Sequence, residues 1–286
     1  MKRWRGNRGD VGTPCRKVSP ARLRNRGDVD TLPKGVPEDA MRNFRLAIEY
    51  DGTAYCGWQR QENGLSIQQL LEESIGRMTG EAIRVIGSGR TDAGVHALCQ
   101  VAHFHTASLL GERNFLMGIN GLLPADIVVR EVREVDPSFH ARYSVKSKVY
   151  LYRICNRPVR PALERHYAWF VWEPLSLSKI NGVLDLFRGR HDFSSFCSTH
   201  TDSPDHVRTI LDITVEKNGE DMIDISVEAD GFLRYMVRTI VGTLVDVGRG
   251  KWSREALAAI LLAEDRRRAG LTAPAHGLFL KDVKYG

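Results

Sequence analysis

No apolar run in the 286-residue chain approaches the ~18 residues of a membrane-spanning helix, and residues 1–40 lack the apolar stretch of a secretory signal. These absences predict a cytoplasmic protein with no membrane partner. Cysteine is scarce too. Cys15, Cys56, Cys99, Cys155 and Cys197 are odd in number, widely spaced and form no C-x-x-C pair, unlike a disulfide framework or a thiolate zinc site. Excess charge is missing from most of the chain as well. The net charge is +6, but ten of the 41 basic and five of the 35 acidic residues fall within positions 1–40, leaving 31 against 30 in the remainder. Bulk charge therefore argues weakly for a nucleic-acid partner, and such a claim has to rest on local clusters.

What is present is enough material for about two domains, with 42% hydrophobic residues. The sequence predicts a basic, disordered extension at 1–40, an α+β half at 41–144 and a second at 145–286. The extension is rich in Arg, Gly and Pro and contains the near-repeats NRGDVGTP (7–14) and NRGDVDTLP (25–33). It reads either as an RNA-touching arm or as an upstream segment with no role, since Met41 stands just before the first strand-like run, FRLAIEYD, as a possible native start.

Ser66 and Gln69 are spaced as a capping box before a helix with Ile67, Leu70, Leu71, Ile75 and Met78 on one stripe. LCQVAHFHT, DIVVREVREV and KVYLYRIC read as strands, and Ile180, Val183, Leu184 and Phe187 have helical spacing. Between 208 and 228, Leu211, Ile213 and Val215 alternate with polar residues, Asn218-Gly219 supplies a turn, and Ile223, Ile225 and Val227 alternate back, which predicts a β-hairpin. Leu233, Met236, Val237, Ile240, Val241, Leu244 and Val245 predict a long amphipathic helix. SREALAAILLAE predicts another, before a closing strand GLFLKDV. The expected architecture is α+β: two related halves of mixed, mainly antiparallel sheet, helices on one face, and a central cleft.

The glycines of GSGRTDAG (87–94) follow G-x-G-x-x-x-x-G, which lacks both the Lys-Ser/Thr of a phosphate loop and the G-x-G-x-x-G of a dinucleotide turn. No nucleotide cofactor is expected. The block does place Asp92 beside Arg90 on a loop where a substrate can approach the backbone closely. A guanidinium within a few ångströms would hold that carboxyl below the usual carboxylate range, which suits a nucleophile or base. An Asx-turn with a surface salt bridge explains the same spacing.

His191, Cys197, His200 and His206 are zinc-type residues, but their spacings match no standard site, and His103 and His105 lack a third ligand; no metal is expected. Arg234 and Arg238 fall one helical turn apart, with Arg238 bordering the apolar stripe. Lys146, Lys148, Arg153, Arg157, Arg160 and Arg165, interleaved with Tyr150, Tyr152, Tyr167 and Trp169, offer phosphate contacts beside stacking surfaces. A solvated strand edge with core aromatics fits them equally. Alone, these features argue for a binding cleft and no particular reaction.

Taken together, YDGTAYCGWQRQ (50–61), GSGRTDAGVHALCQVAHF (87–104), FHARYSVKSKVYLYRI (139–154), GRHDFSSF (189–196), GFLRYMVRTIVGTLVDVG (231–248) and APAHGLFL (273–280) closely resemble the bacterial TruA-type tRNA pseudouridine synthases, in the family's order and across almost everything after Met41. The resemblance implies isomerisation of uridine to pseudouridine at positions 38, 39 and 40 in the anticodon stem-loop of tRNA. It makes Asp92 the nucleophile, Arg90 the residue that helps extrude or replace the flipped base, Tyr150 the platform that stacks on the target base, and Arg238 the partner of the catalytic carboxylate. It implies no cofactor or metal, and a homodimer in which one tRNA touches both subunits. Positive charge would then gather on the cleft face. Two rivals are a non-catalytic tRNA-binding or RNA-folding module on the same scaffold, and a glycosidic hydrolase, which would need a second carboxylate near Asp92.

Overall fold

The computed structural model describes residues 41–199 and 203–286. The extension predicted at 1–40 and His200 lie outside the described residues. In chain order the elements are β1 (Arg42–Tyr50), α1 (Ile67–Thr79), β2 (Ile86–Gly87), β3 (His96–Thr106), α2 (Glu112–Leu122), β4 (Ile127–Val135), β5 (Val145–Asn156), β6 (Trp169–Val171), α3 (Leu177–Asn181), β7 (Gly189–Asp192), β8 (Val207–Asn218), β9 (Met222–Ala229), α4 (Met236–Gly248), α5 (Arg254–Leu262) and β10 (Leu278–Tyr285).

The ten strands share one sheet in the order β4-β1-β3-β10-β5-β9-β8-β7, with β2 added to β3 and β6 to β5. Pairing is antiparallel except at β3/β10 and β5/β6, so the α+β, mainly antiparallel architecture expected from the alternation is the one that forms. β10 lies between β3 and β5, and its two parallel pairs, Phe279 with His96 and Leu280 with Ala97, join the strands β4-β1-β3 to β5-β9-β8-β7. Side chains reinforce this seam. The His96 imidazole stacks on the Phe279 ring with centroids 4.8 Å apart, and its Nε2 lies 3.1 Å from the His166 carbonyl oxygen. Among the described residues no helix is long and apolar enough to cross a membrane.

Local chemistry explains most of the elements. Ser66 caps α1, its hydroxyl accepting from the Gln69 N–H at 3.3 Å, while the Gln69 side chain turns outward to Glu73, so only half of the capping box forms. α4 is buried on every side and not only along the apolar stripe its sequence predicted: every residue from Met236 to Gly248 is buried except Arg238, Thr239, Thr243 and Asp246 being among the buried ones. The helix also starts later than the pattern suggested, leaving Leu233 and Arg234 in the preceding turn and Tyr235 as the N-cap. The single helix expected over Ile180–Phe187 is two pieces, α3 and a 3-10 turn at Leu184–Phe187, interrupted at Gly182-Val183, although all four apolar positions remain buried.

The hairpin forms as β8 and β9, with Asn218 paired to Met222 and Gly219 in the left-handed region at φ 73°. One expected core position is wrong. A β-bulge between Ile210 and Asp212 shifts the register, so Ile210 is buried and Leu211 is 53% exposed. Ile210→Ala should therefore cost about 2 to 5 kcal/mol, whereas Leu211→Ala should stay within about 0.5 kcal/mol. Urea unfolding of both variants reads the difference, and equal losses would contradict the bulge.

Candidate active site

Asp92 sits on the loop between β2 and β3, and buried polar groups pin that loop from below. The Ser88 N–H donates to Val101 O at 2.7 Å, the Ser88 hydroxyl to Gln100 Oε1 at 2.7 Å, and Gln100 Nε2 to Gly89 O at 3.0 Å. Thr91 Oγ1 hydrogen-bonds the Tyr50 hydroxyl at 2.7 Å, and its carbonyl accepts from the Trp58 N–H at 3.0 Å. Trp58 can approach because its neighbour is Gly57, at φ +93°; a Cβ there would fall 2.5 Å from Thr91 O. A glycine-rich stretch that would wander alone is thus held still, with the Asp92 carboxylate facing a cleft of about 1040 Å³.

The opposite wall comes from the start of α4. Tyr235 adopts a left-handed backbone at φ 67°, unusual for a bulky residue and costing roughly 1 to 3 kcal/mol. The Arg234 and Arg238 guanidiniums lie over its ring, 4.9 and 5.0 Å from the centroid. Both reach Asp92: Arg238 Nη1 is 3.2 Å from Oδ2, and Arg234 Nε is 4.0 Å from Oδ1. Arg238 is further fixed by donating from Nε to Ala273 O at 2.7 Å.

The electrostatics differ from expectation in one respect. The cations acting on Asp92 are Arg238 and then Arg234, while Arg90 Nε donates to Gln59 Oε1 at 3.1 Å. Burial outweighs both guanidiniums and pushes the Asp92 carboxyl above its ordinary value, not below it. Tyr150 on β5 lines the same cleft and packs edge-on against Phe232, centroids 4.9 Å apart, and burial raises its phenol. Lys148, two residues earlier, donates to Ser88 O at 2.5 Å; burial, helped by Arg142, brings its ammonium down to about 8.

Among the described residues lining this cleft are seven cationic side chains, Arg84, Arg90, Arg142, Lys148, Arg208, Arg234 and Arg238, and one carboxylate, Asp92. A near-neutral body thus carries a strongly positive interior wall. The structure brings Asp92, Arg90, Tyr150 and Arg238 into one cleft. It disperses much of the remaining basic and aromatic row: Arg153 faces Asp224 at 3.7 Å, Arg157 pairs with Asp221 at 3.0 Å, and the Tyr152 hydroxyl donates to Pro274 O. The zinc-type residues have separate partners, His191 at Arg188 O, His206 at the Ser194 hydroxyl and Cys197 at Ser194 O. His103 is fully buried, its Nδ1 accepting the Ala141 N–H at 3.1 Å. Sequence reasoning passed over Arg142, Tyr143, Arg208 and Tyr235 as site residues; the quoted FHARYS and GFLRYM blocks contain three of them, with nothing in their spacing to mark a cleft.

A family model described as tRNA pseudouridine synthase matches residues 46–144 and 183–286. The chain is 44% identical over 245 residues to tRNA pseudouridine synthase A of Thermoanaerobacter sp. strain X514, covering 86% of this chain and 100% of that one. It is 46% identical over the same length and coverage to the Pelobacter propionicus protein of that name. The archaeal box H/ACA sRNP Nop10-Cbf5 complex gives a looser structural match, TM-score 0.33 at 11% identity, covering 71% of this chain and 44% of that one. The chain belongs to the tRNA pseudouridine synthase family. Both of these relatives, which it matches along their whole length, are A enzymes.

Because burial raises Asp92 while Arg238 opposes the rise, a carboxyl-selective 13C titration should find its midpoint above the ordinary 3.8. Arg238→Met should move that midpoint higher still. A midpoint below 3.8, or one unmoved in the variant, would mean that burial and Arg238 do not act on this carboxyl as described.

Proposed function

We propose that this chain isomerises uridine to pseudouridine at positions 38, 39 and 40 in the anticodon stem-loop of tRNA, with Asp92 as nucleophile. The observation that carries the reading is that Asp92 is the single carboxylate among the described residues lining the cleft, held by Arg238 beside six other cationic side chains. A cationic wall suits the phosphates of RNA. The lone acid suits covalent catalysis better than a glycosidase, which canonically works with two carboxyl groups; no second Asp or Glu lines the cleft among the described residues.

The target uridine has to leave its stack, at a cost of a few kcal/mol. Arg90 is assigned to help extrude the base or fill its place, and Tyr150 to stack on it. The Asp92 anion then forms a covalent bond, at the ribose or at the ring carbon. The glycosidic C–N bond breaks, the base turns, a C–C bond forms through C5, the bond to Asp92 breaks and returns its electron pair to the carboxylate, and the C5 proton departs while N1 gains one. Substrate and product are isomers, so the reaction has no net oxidant, reductant or group donor, in keeping with the expectation of no cofactor. Arg238 stabilises the ionised carboxylate and fixes its direction. The halves 41–144 and 145–286 supply the two walls, the enzyme acts as a homodimer on one tRNA, and its site of action is the cytoplasm.

The test incubates purified protein with an unmodified anticodon-arm transcript, without metal or nucleotide, and maps pseudouridine by chemical probing. Intact protein is expected to convert the target uridines. Asp92→Ala and Asp92→Asn should reduce turnover below detection, about 10³-fold or more, with RNA affinity within about three-fold of the parent. Turnover in Asp92→Ala would refute the nucleophile. Binding by the intact protein without conversion would favour a non-catalytic RNA-binding module.

A further inference from the structure

The loop joining β4 to β5 carries an aromatic ring that the fold exposes and also immobilises. Tyr143 is 72% exposed, and it lines the cleft that holds Asp92. One face of its ring stacks on His140, with centroids 4.2 Å apart and planes 26° from parallel. The imidazole behind it is itself locked: His140 Nδ1 accepts the backbone N–H groups of Arg142 and Tyr143 at 3.1 and 3.2 Å. Behind His140 stands His103, centroids 4.7 Å apart; burial, with smaller contributions from His140 and His105, brings its pKa down to about 3 and keeps it neutral.

The loop backbone is tied on both sides of the ring. The His140 N–H donates to the Ser144 hydroxyl at 3.1 Å, Ser144 N–H returns to His140 O at 2.9 Å, and the Tyr285 hydroxyl donates to Ala141 O at 2.7 Å. None of this buries the phenol ring of Tyr143. An exposed aromatic contributes little to the core, yet this one is held in a fixed orientation beside a cationic cleft, with the Arg142 guanidinium 5.9 Å from its centroid. A preorganised aromatic face loses little freedom when a flat ligand settles on it.

We propose that Tyr143, backed by His140, is a second nucleobase-stacking site at the mouth of the cleft, which takes an unpaired base flanking the uridine that enters towards Asp92. The proposal rests on the RNA-modifying reading of the cleft and adds a subsite to it. Stacking is indifferent to sequence because every base has a π-face. An enzyme that accepts adjacent uridines meets different neighbours at each, so a contact blind to base identity suits it better than a hydrogen-bonding pocket.

The experiment compares the full chain with Tyr143→Phe and Tyr143→Ala, all in the Asp92→Ala background so that no turnover occurs, using anticodon-arm RNA with 2-aminopurine beside the target uridine. The parent and Tyr143→Phe should bind alike and quench the 2-aminopurine. Tyr143→Ala should weaken binding about five- to a hundred-fold, lose the quenching, and keep the same thermal midpoint and the same salt dependence. Unchanged affinity, retained quenching, or a fall in thermal midpoint that accounts for the lost affinity would each overturn the stacking site. Failure of the parent to bind the RNA would overturn both this proposal and the reading beneath it. Binding and quenching as expected, with no pseudouridine made by protein carrying Asp92, would overturn the catalytic reading alone.

Discussion

The arrangement turns on keeping a carboxylate charged where burial disfavours charge. Asp92 is largely shielded from water, and that shielding alone pushes its proton affinity up. Arg238 is the counterweight. It can serve only because α4 is a core helix whose remaining residues anchor it among apolar neighbours. The one residue of that helix that is not buried is the one that leaves the core to meet Asp92 at 3.2 Å. Packing around α4 thereby sets the electrostatics of the loop between β2 and β3.

The sheet enforces the same dependence. β10, the last strand, lies beside β3, and the parallel pair at Phe279 and His96 falls four residues after Asp92. Gly57, Trp58, Ser88, Gln100 and Tyr50 then fix the loop on its inner side. A flexible glycine-rich sequence becomes a rigid support through contacts supplied by distant segments.

Legibility of the sequence followed the range of the interactions. The β8/β9 hairpin could be read because alternation and an Asn-Gly turn are local signals, and α1 because its cap and apolar stripe lie within a few residues. The bulge that turns Ile210 inward and Leu211 outward leaves no mark in an alternating pattern. The late start of α4 was hidden because Leu233 continues the apolar spacing, whereas the left-handed turn at Tyr235 breaks the helix. Asp92 stood out through its motif, yet the upward direction of its pKa did not, because burial is a tertiary quantity and the adjacent Arg90 suggested the opposite. Tyr143 was invisible for a similar reason: its rigidity comes from His140 and His103, which only the folded loop brings behind it.

The position of β10 also has a consequence for how the molecule comes into being. A ribosome makes β3 and β5 long before β10, so each presents an unpaired edge on the nascent chain at the place where the seam will close. Pairing across so large a separation is entropically late. The two walls of the cleft are therefore assembled near the end of folding, and an incompletely synthesised chain carries the Asp92 loop without the opposite wall that supplies Arg238.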